Sequence, residues 1–104
     1  MPTEATFTIA ADHPALAGHF PGNPIVPGVL VLEHVQRMLE ANIGPVRLTA
    51  LPQAKFLSPL RPGEPCVVAF TNIAGGSAQF DCHSGTRAIA RGSLRFEADA
   101  SRAG

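Results

Sequence analysis

Residues 18–35 have the sequence GHFPGNPIVPGVLVLEHV, in which the pattern of a loop passes directly into that of a helix. Prolines and glycines recur between His13 and Gly28, so this part forms no regular element and is a stiff, shaped loop. After Pro27 and Gly28 the chain continues as VLVLEHVQRMLEANIG, whose helix formers end at Gly44 and predict one helix. Apolar residues cover more than one stripe of its first half, which we therefore expect to be buried on most sides.

The segments on either side of this helix have the patterns of β-strands. In the first of them Phe7 and Ile9 share one face, and threonines occupy the other. Gly-Gly and Ser-Gly pairs and the segment RPGEP mark turns between the later ones. The predicted strands are residues 5–10, 46–51 with 53–57, 66–73, 78–82 and 86–96. This order predicts an antiparallel α+β domain over residues 1–104, with the sheet around a single helix and a loose tail at 98–104.

The last predicted strand has two dissimilar faces. One face is small near its start, which would allow a helix or a ligand to approach closely. Its members are Ala88, Ala90, Gly92, Leu94 and Phe96. The members of the other face are Arg87, Ile89, Arg91, Ser93 and Arg95. With Arg61 near a turn, the three arginines predict a local basic patch.

Length and composition exclude several classes of protein. The chain has 104 residues, of which 45% are hydrophobic and 15% charged, so it folds and has room for one core. Eight Lys and Arg balance eight Asp and Glu, so no overall basic field exists for nucleic acid or an anionic membrane surface. The longest nearly apolar stretch, residues 25–32, is far shorter than the roughly 20 residues that span a bilayer. We expect neither nucleic acid nor a membrane as a partner.

The cysteines and three of the histidines indicate no disulfide framework and no metal centre. Cys66 and Cys82 form no C-x-x-C pair, and no basic segment followed by an apolar one opens the chain, so we expect a cytoplasmic protein with reduced thiols. Cys82 and His83 are neighbours in a strand and point to opposite faces, so they form no catalytic dyad. His13, His34 and His83 share no metal-ligand spacing, so we expect no metal.

His19 in the loop and Glu33 in the helix are the candidate catalytic residues. An imidazole titrates near neutrality and suits a general base. A carboxyl group among apolar residues, as Glu33 is in sequence, favours its protonated form, which a general acid needs. Gly28, at the start of the helix, offers a backbone N–H at the positive end of the helix dipole. On residue types alone, a structural loop histidine and a surface pair of Glu33 with Arg37 explain these residues at least as well.

The loop and helix together resemble the active-site motif of the bacterial β-hydroxyacyl-acyl carrier protein dehydratases of the FabZ and FabA type. A second segment, KFLSPLRPGE at residues 55–64, is similar to the K-F-x-x-P-x-x-P-G-D/E segment of that family. The resemblance runs from about Asp12 to Phe96 and implies a hotdog fold. It implies a (3R)-hydroxyacyl-acyl carrier protein dehydratase, free of cofactor, that eliminates water to give a trans-2-enoyl thioester in fatty-acid or polyketide-like synthesis.

The same resemblance implies a role for each site residue. His19 would be the base and Glu33 the acid, while the backbone N–H of Gly28, helped by Val29, would stabilise the oxyanion. An acyl chain on phosphopantetheine or coenzyme A would occupy a tunnel lined by Phe20, Pro21 and Gly22. The family also implies a homodimer or an assembly of dimers, with His19 of one chain facing Glu33 of the other. Relative to the family, the sequence is a short form without the usual N-terminal extension.

Partners and alternatives follow from the remaining features. An acidic acyl carrier protein would dock on the basic patch of Arg61, Arg87, Arg91 and Arg95, unless these arginines only solvate an outer face. Two other functions stay open. One is a hotdog thioesterase in which Glu33 activates water. The other is a non-catalytic subunit that binds acyl carrier protein or completes another hotdog chain as a heterodimer, which the short N-terminus favours.

Overall fold

The computed structural model describes residues 4–16, 25–99 and 101. Its elements are β1 (Glu4–Phe7), a 3-10 turn (Pro14–Leu16), α1 (Gly28–Ile43), β2 (Val46–Phe56), β3 (Cys66–Ala74), β4 (Ser77–Ser84) and β5 (Arg87–Ala98). Five strands form one antiparallel sheet in the order β1-β3-β4-β5-β2. The predicted antiparallel α+β architecture with one helix is therefore confirmed.

The helix connects the two edges of the sheet. The chain leaves β1 at one edge, passes through α1 and enters β2 at the other edge, so the helix lies across one sheet face. Its buried residues belong to the same apolar core as inward residues of the central strands. The buried helix residues are Leu30, Val31, Val35 and Leu39. Gly44 ends the helix with a positive φ of 92°, which glycine adopts without strain, and its N–H bonds the Glu40 carbonyl.

The expectation that the first half of α1 is buried on most sides is confirmed, because between Gly28 and Val35 only Val29 and Glu33 are exposed. Val29 is 75% exposed, and Glu33 and Arg37 follow it at intervals of four residues on the same side. This one side stays exposed because the described chain has no second layer over it. We call this row of Val29, Glu33 and Arg37 the exposed stripe.

The strand β2 passes through Pro52, where the sequence predicted an interruption. It is an edge strand, and a proline is tolerated there because its missing N–H removes no necessary ladder bond. Register shifts between Leu48 and Ala50 and between Ala50 and Gln53 mark bulges around it. The strand therefore bends and continues to Phe56.

The strand β5 contains a bulge that the predicted alternation of faces did not include. Cys82 pairs with Ala90 but His83 pairs with Ala88, so Ile89 is an extra residue in the ladder. Ile89 and Ala90 are both buried, and the alternation is offset beyond them. Arg87 therefore lies on the inner side with Ile89, and the prediction that Arg87 shares a face with Arg91 and Arg95 was wrong.

The ends of the strands also differ from the predicted ones, among them the ends of β1 and β5. β1 stops at Phe7, whereas β5 extends to Ala98, which pairs with Val46. The N–H of Asp99 then donates to the carbonyl of Pro45 at 3.0 Å. The predicted loose tail therefore begins too early, because residues 98 and 99 are held by backbone hydrogen bonds.

Gly92 provides the close approach expected on β5, although the neighbours that approach are a strand and an aromatic ring. It lies between Ala54 of β2 and Phe80 of β4 in the sheet. A Cβ at this position would collide with the carbonyl oxygen of Gln53 and would lie 2.9 Å from the ring of Phe80. The backbone carbonyl cannot move without shifting β2.

Gly92→Ala is expected to lower the free energy of unfolding by about 1–3 kcal/mol, the usual cost of overpacking. Urea unfolding of the variant and the wild type measures this difference. Ser93→Ala is the matched control on the next position of the strand. A loss for Gly92→Ala below about 0.5 kcal/mol, the range of ordinary surface substitutions, would contradict the close approach.

His34 joins the helix to β1 through a stacked ring pair. Its imidazole lies parallel to the ring of Phe7, with centroids 4.5 Å apart and planes inclined by 6°. Burial and the nearby Arg37 guanidinium lower the pKa of His34 below 6.5, with His13 acting in the same direction and Glu33 against it. The folded protein therefore prefers the neutral imidazole.

Stability is expected to fall as the pH falls below 6.5 toward the lower pKa of folded His34. Between these two values the unfolded chain binds more protons than the folded chain, so acid favours unfolding. Urea unfolding at pH 8 and pH 5 measures the difference in the free energy of unfolding between the two values. His34→Phe, which keeps an aromatic ring, should lose the part of this difference that His34 contributes. An equal pH dependence in the variant would show that His34 does not contribute.

The two cysteines occupy buried positions in β3 and β4. Both thiols are free, and a hydrogen bond to Cys66 together with burial raises the pKa of Cys82. Within the described residues, no helix is long and apolar enough to cross a membrane, and no group of three or more His, Cys, Asp or Glu could hold a metal ion. The cytoplasmic location stays a prediction.

Candidate active site

The start of α1 presents two backbone donors. The carbonyl of Pro27 accepts the first helical bonds, from the N–H of Leu30 at 3.0 Å and of Val31 at 3.3 Å. The N–H groups of Gly28 and Val29 precede those bonds, and Pro27 offers no side-chain cap. They lie at the positive end of the helix dipole, where a developing negative charge on oxygen is stabilised. The oxyanion-stabilising role of Gly28 and Val29 stays a prediction.

An apolar cavity lies at the start of the helix and is lined in part by Gly28. Its volume is about 510 Å³, which lies within the usual range of small-molecule sites. The residues that line it are Ile25, Val26, Gly28, Val31, Phe56, Leu57, Ser58, Pro59, Leu60 and Ile89. Ser58 supplies the one polar side chain among them, so the lining suits a hydrocarbon chain better than a sugar or a nucleotide.

The ring of Phe56 lies against the helix start. A Cβ at Gly28 would be 2.8–3.2 Å from three ring carbons of Phe56, so only glycine leaves the ring this position. The ring itself is half-exposed. The backbone donor of Gly28 and the end of the cavity therefore adjoin each other.

Glu33 lies on the exposed stripe, one turn after Val29. Its side chain is 53% exposed, and its Oε1 is 3.2 Å from Nη2 of Arg37. The expected ion pair of these two residues is confirmed. The expected apolar surroundings are not, because within this chain the carboxylate faces away from the core and does not line the cavity.

The remaining predicted site residues lie outside the described part of the chain. They are His19, Phe20, Pro21 and Gly22. Along the chain His19 stands six residues before Ile25, which lines the cavity. The catalytic role of His19 and the tunnel roles of the other three stay predictions.

Arg87 makes hydrogen bonds next to the cavity and does not lie with Arg91 and Arg95 on the outer face of the sheet. Its Nη2 lies 2.8 Å from Oε1 of Glu64 and 3.1 Å from the carbonyl of Pro59. The hydrogen bond from Arg87, followed by one from the N–H of Arg61, lowers the pKa of Glu64, and the same contact raises the pKa of Arg87. The structure thus places Arg87 against a residue that lines the cavity.

The other arginines of the predicted docking patch are exposed. Arg91 pairs in register with Asp81 on β4 and with Lys55 on β2, so its surroundings carry both signs of charge. Arg95 and Arg61 are exposed elsewhere. Docking of a carrier protein on these residues stays a prediction.

The segment 56–60 and Ile89 are the part of the site that sequence reasoning missed. The signal was present, because residues 55–60 open the KFLSPLRPGE segment that carried part of the family resemblance. That segment was interpreted as evidence for the family and as a turn. It also forms one side of the cavity.

A helix laid across a five-stranded antiparallel sheet, with an apolar cavity at the helix start, defines the hotdog class. The dehydratase heterocomplex ApeI:P from Xenorhabdus doucetiae has a similar chain, with a TM-score of 0.79 and 19% identity over 89% of this chain and 84% of that one. This likeness confirms the predicted hotdog fold.

Sequence comparisons identify the family. A family model described as ApeI dehydratase, ApeI-like, matches residues 2–93. The FabZ dehydratase of Chlamydia trachomatis is 29% identical over 102 residues, which span 85% of this chain and 67% of the relative. The bifunctional enzyme LpxC/FabZ of Chlorobaculum tepidum is 36% identical over 101 residues, 86% of this chain and 21% of the relative. The chain belongs to the ApeI-like dehydratase family, and the prediction of a dehydratase, which is a hydro-lyase similar to the FabZ enzymes, is confirmed.

Proposed function

We propose that this chain converts a (3R)-hydroxyacyl thioester on acyl carrier protein into a trans-2-enoyl thioester and water. The observation that carries this proposal is the position of the apolar cavity, which Gly28 lines, at the start of the helix, where no acceptor among the described residues takes the N–H of Gly28 or of Val29. An acyl chain in the cavity would bring its thioester carbonyl to those donors. Membership of a dehydratase family supplies the class of reaction.

The reaction divides into proton removal and loss of water. His19 takes the proton from the carbon next to the carbonyl, and the carbonyl oxygen carries the resulting negative charge against Gly28 and Val29. The electron pair then forms the double bond as the carbon–oxygen bond at the β position breaks. Glu33 donates its proton to the leaving hydroxyl, which departs as water. Transfer of the proton from His19 to Glu33 restores the starting state, and no cofactor is needed.

A second hotdog chain completes the site in this proposal. The exposure of Glu33 and of Val29 on one stripe supports it, because a general acid works best shielded from water. Exposed apolar residues of the edge strand β2 and the loop after it, among them Leu51 and Leu57, offer further surface to a partner. A homodimer would place His19 of one chain opposite Glu33 of the other. The neighbour described as a heterocomplex makes a second hotdog chain of different sequence the alternative.

Product analysis separates the candidate functions. The forward reaction starts from a β-hydroxyacyl thioester of acyl carrier protein or of coenzyme A, and mass spectrometry detects loss of one water. Release of the free acid would instead indicate the thioesterase. Activity that arises only on mixing with a second hotdog chain would indicate the heterodimer subunit. The proposal would be contradicted if the substrate stayed unchanged on acyl carrier protein, on coenzyme A, and after addition of a second hotdog chain.

A further inference from the structure

One side of the cavity is an irregular segment, Leu57–Leu60, which we call the cavity wall. Its first residue is tied to β5, because the N–H of Leu57 donates to the carbonyl of Ile89 at 2.8 Å. Its last residue is tied to the chain before the helix, because the carbonyl of Leu60 accepts from the N–H of Val26 at 2.8 Å. Both hydrogen bonds join residues that line the cavity, so the position of the wall sets the width of the cavity.

Arg87 holds the middle of the wall from the side. Its Nη2 donates to the carbonyl of Pro59 at 3.1 Å and to Oε1 of Glu64 at 2.8 Å. The same oxygen of Glu64 accepts from the N–H of Arg61 at 2.8 Å, which fixes the carboxylate within the turn after the wall. The N–H of Gly63 bonds the carbonyl of Ile9 and anchors that turn to the rest of the protein.

Two details indicate that this placement of Arg87 is specific. The bulge at Ile89 turns Arg87 to the inner side of β5, whereas regular alternation would put it outside with Arg91. Its Nε is buried and has no hydrogen-bond partner among the described residues. An unsatisfied buried donor is unusual in a folded protein and calls for an explanation in the position of the side chain.

We propose that Arg87 is a positioning residue of the acyl site, which holds the cavity wall through Glu64 and the Pro59 carbonyl so that the cavity accepts an apolar acyl chain. The inference rests on the proposed function for the identity of the ligand. It assigns to Arg87 a role at the cavity in place of the carrier-docking role that its sequence pattern suggested.

Arg87→Met tests the proposal, because methionine keeps an unbranched apolar side chain but removes both hydrogen bonds. The substrates are trans-2-enoyl thioesters of N-acetylcysteamine with four and eight acyl carbons, which need no carrier protein. We expect KM for the longer substrate to rise about tenfold, as for the loss of one charge-assisted hydrogen bond, with kcat changed less than about twofold. Arg87→Lys should recover part of the loss. Arg47→Met, which breaks the exposed pair of Arg47 with Glu97 at 2.9 Å, should leave KM and kcat unchanged.

Amide hydrogen exchange gives a second result that does not depend on activity. In Arg87→Met the amides of Val26 and Leu57, which hold the two ends of the wall, should exchange faster. The amides of Val35 and Leu39 in the helix core should keep their rates.

Several outcomes would overturn the proposal. One is unchanged exchange with unchanged KM, and another is acceleration at every amide, which would report general destabilisation. A third is a defect limited to substrate carried on acyl carrier protein, which would restore the docking role. Absence of activity in the wild type would instead overturn the proposed function, while the exchange result would still decide whether Arg87 holds the wall.

Discussion

Glu33→Gln is expected to lower kcat for dehydration by about 100- to 10,000-fold, the usual contribution of a positioned general acid. Glutamine keeps the size of the side chain and its hydrogen-bonding ends, but it has no proton to give to the leaving hydroxyl. The side chain is exposed within the chain, so the substitution should leave folding intact. Single-turnover kinetics on a β-hydroxyacyl thioester measures the chemical step free of product release.

Glu97→Gln is the matched control for Glu33→Gln. Glu97 is also an exposed carboxylate in an ion pair, with Arg47 at 2.9 Å, and it lies in β5 far along the strand from the cavity. It should retain wild-type kcat. If Glu33→Gln stayed within about twofold of the wild type, Glu33 would not be the general acid.

His19→Ala is expected to abolish dehydration, with a loss of about 100- to 10,000-fold or more, because alanine cannot take the proton next to the thioester carbonyl. His19 comes from the loop sequence GHFPGNP, and its role rests on the family motif. The melting temperature of the variant should match that of the wild type. His13→Ala, a second histidine in the stretch before the helix, is the control.

The double variant extends these two predictions. Where base and acid act in one reaction, removal of the second group costs less than removal of the first. His19→Ala combined with Glu33→Gln should therefore be little slower than His19→Ala alone. Fully multiplicative losses would indicate that the two residues lower one barrier independently, which would contradict the successive steps of the proposed mechanism.

The helix and most of the sheet could be predicted from local pattern. The helix formers between Pro27 and Gly44 left one interpretation, and the observed helix differs by one residue at each end. The path of β2 could not be predicted in this way. Proline is forbidden in a central strand and tolerated at an edge, and whether a strand is an edge is decided by the whole topology.

The faces of β5 were predicted wrongly for a related reason. Strict alternation put Ile89 outside, yet it is 1% exposed, because a bulge opposite Cys82 and His83 adds one residue to this strand alone. A bulge is a property of two paired strands, and the single strand does not display it. The same bulge moved Arg87 from the expected outer patch to the cavity.

The candidate site was predictable where it depends on backbone position. Gly28 at the start of a helix implied free N–H donors, and the structure places it at the cavity. The surroundings of Glu33 were not predictable, because neighbours in sequence such as Val31 and Leu32 point elsewhere around the helix. The ion pair with Arg37 was predictable, since residues four apart are neighbours on any helix.

Dehydratase activity is measured in reverse by following the ultraviolet absorbance of a trans-2-enoyl thioester mixed with the purified protein. The chain contains no Trp or Tyr, so its own absorbance is low. We predict that the conjugated chromophore is lost as water adds and that the product is a β-hydroxyacyl thioester. With His19→Ala we predict no change in absorbance. Loss of the chromophore at the same rate with His19→Ala, or release of free thiol in place of hydration, would contradict these predictions.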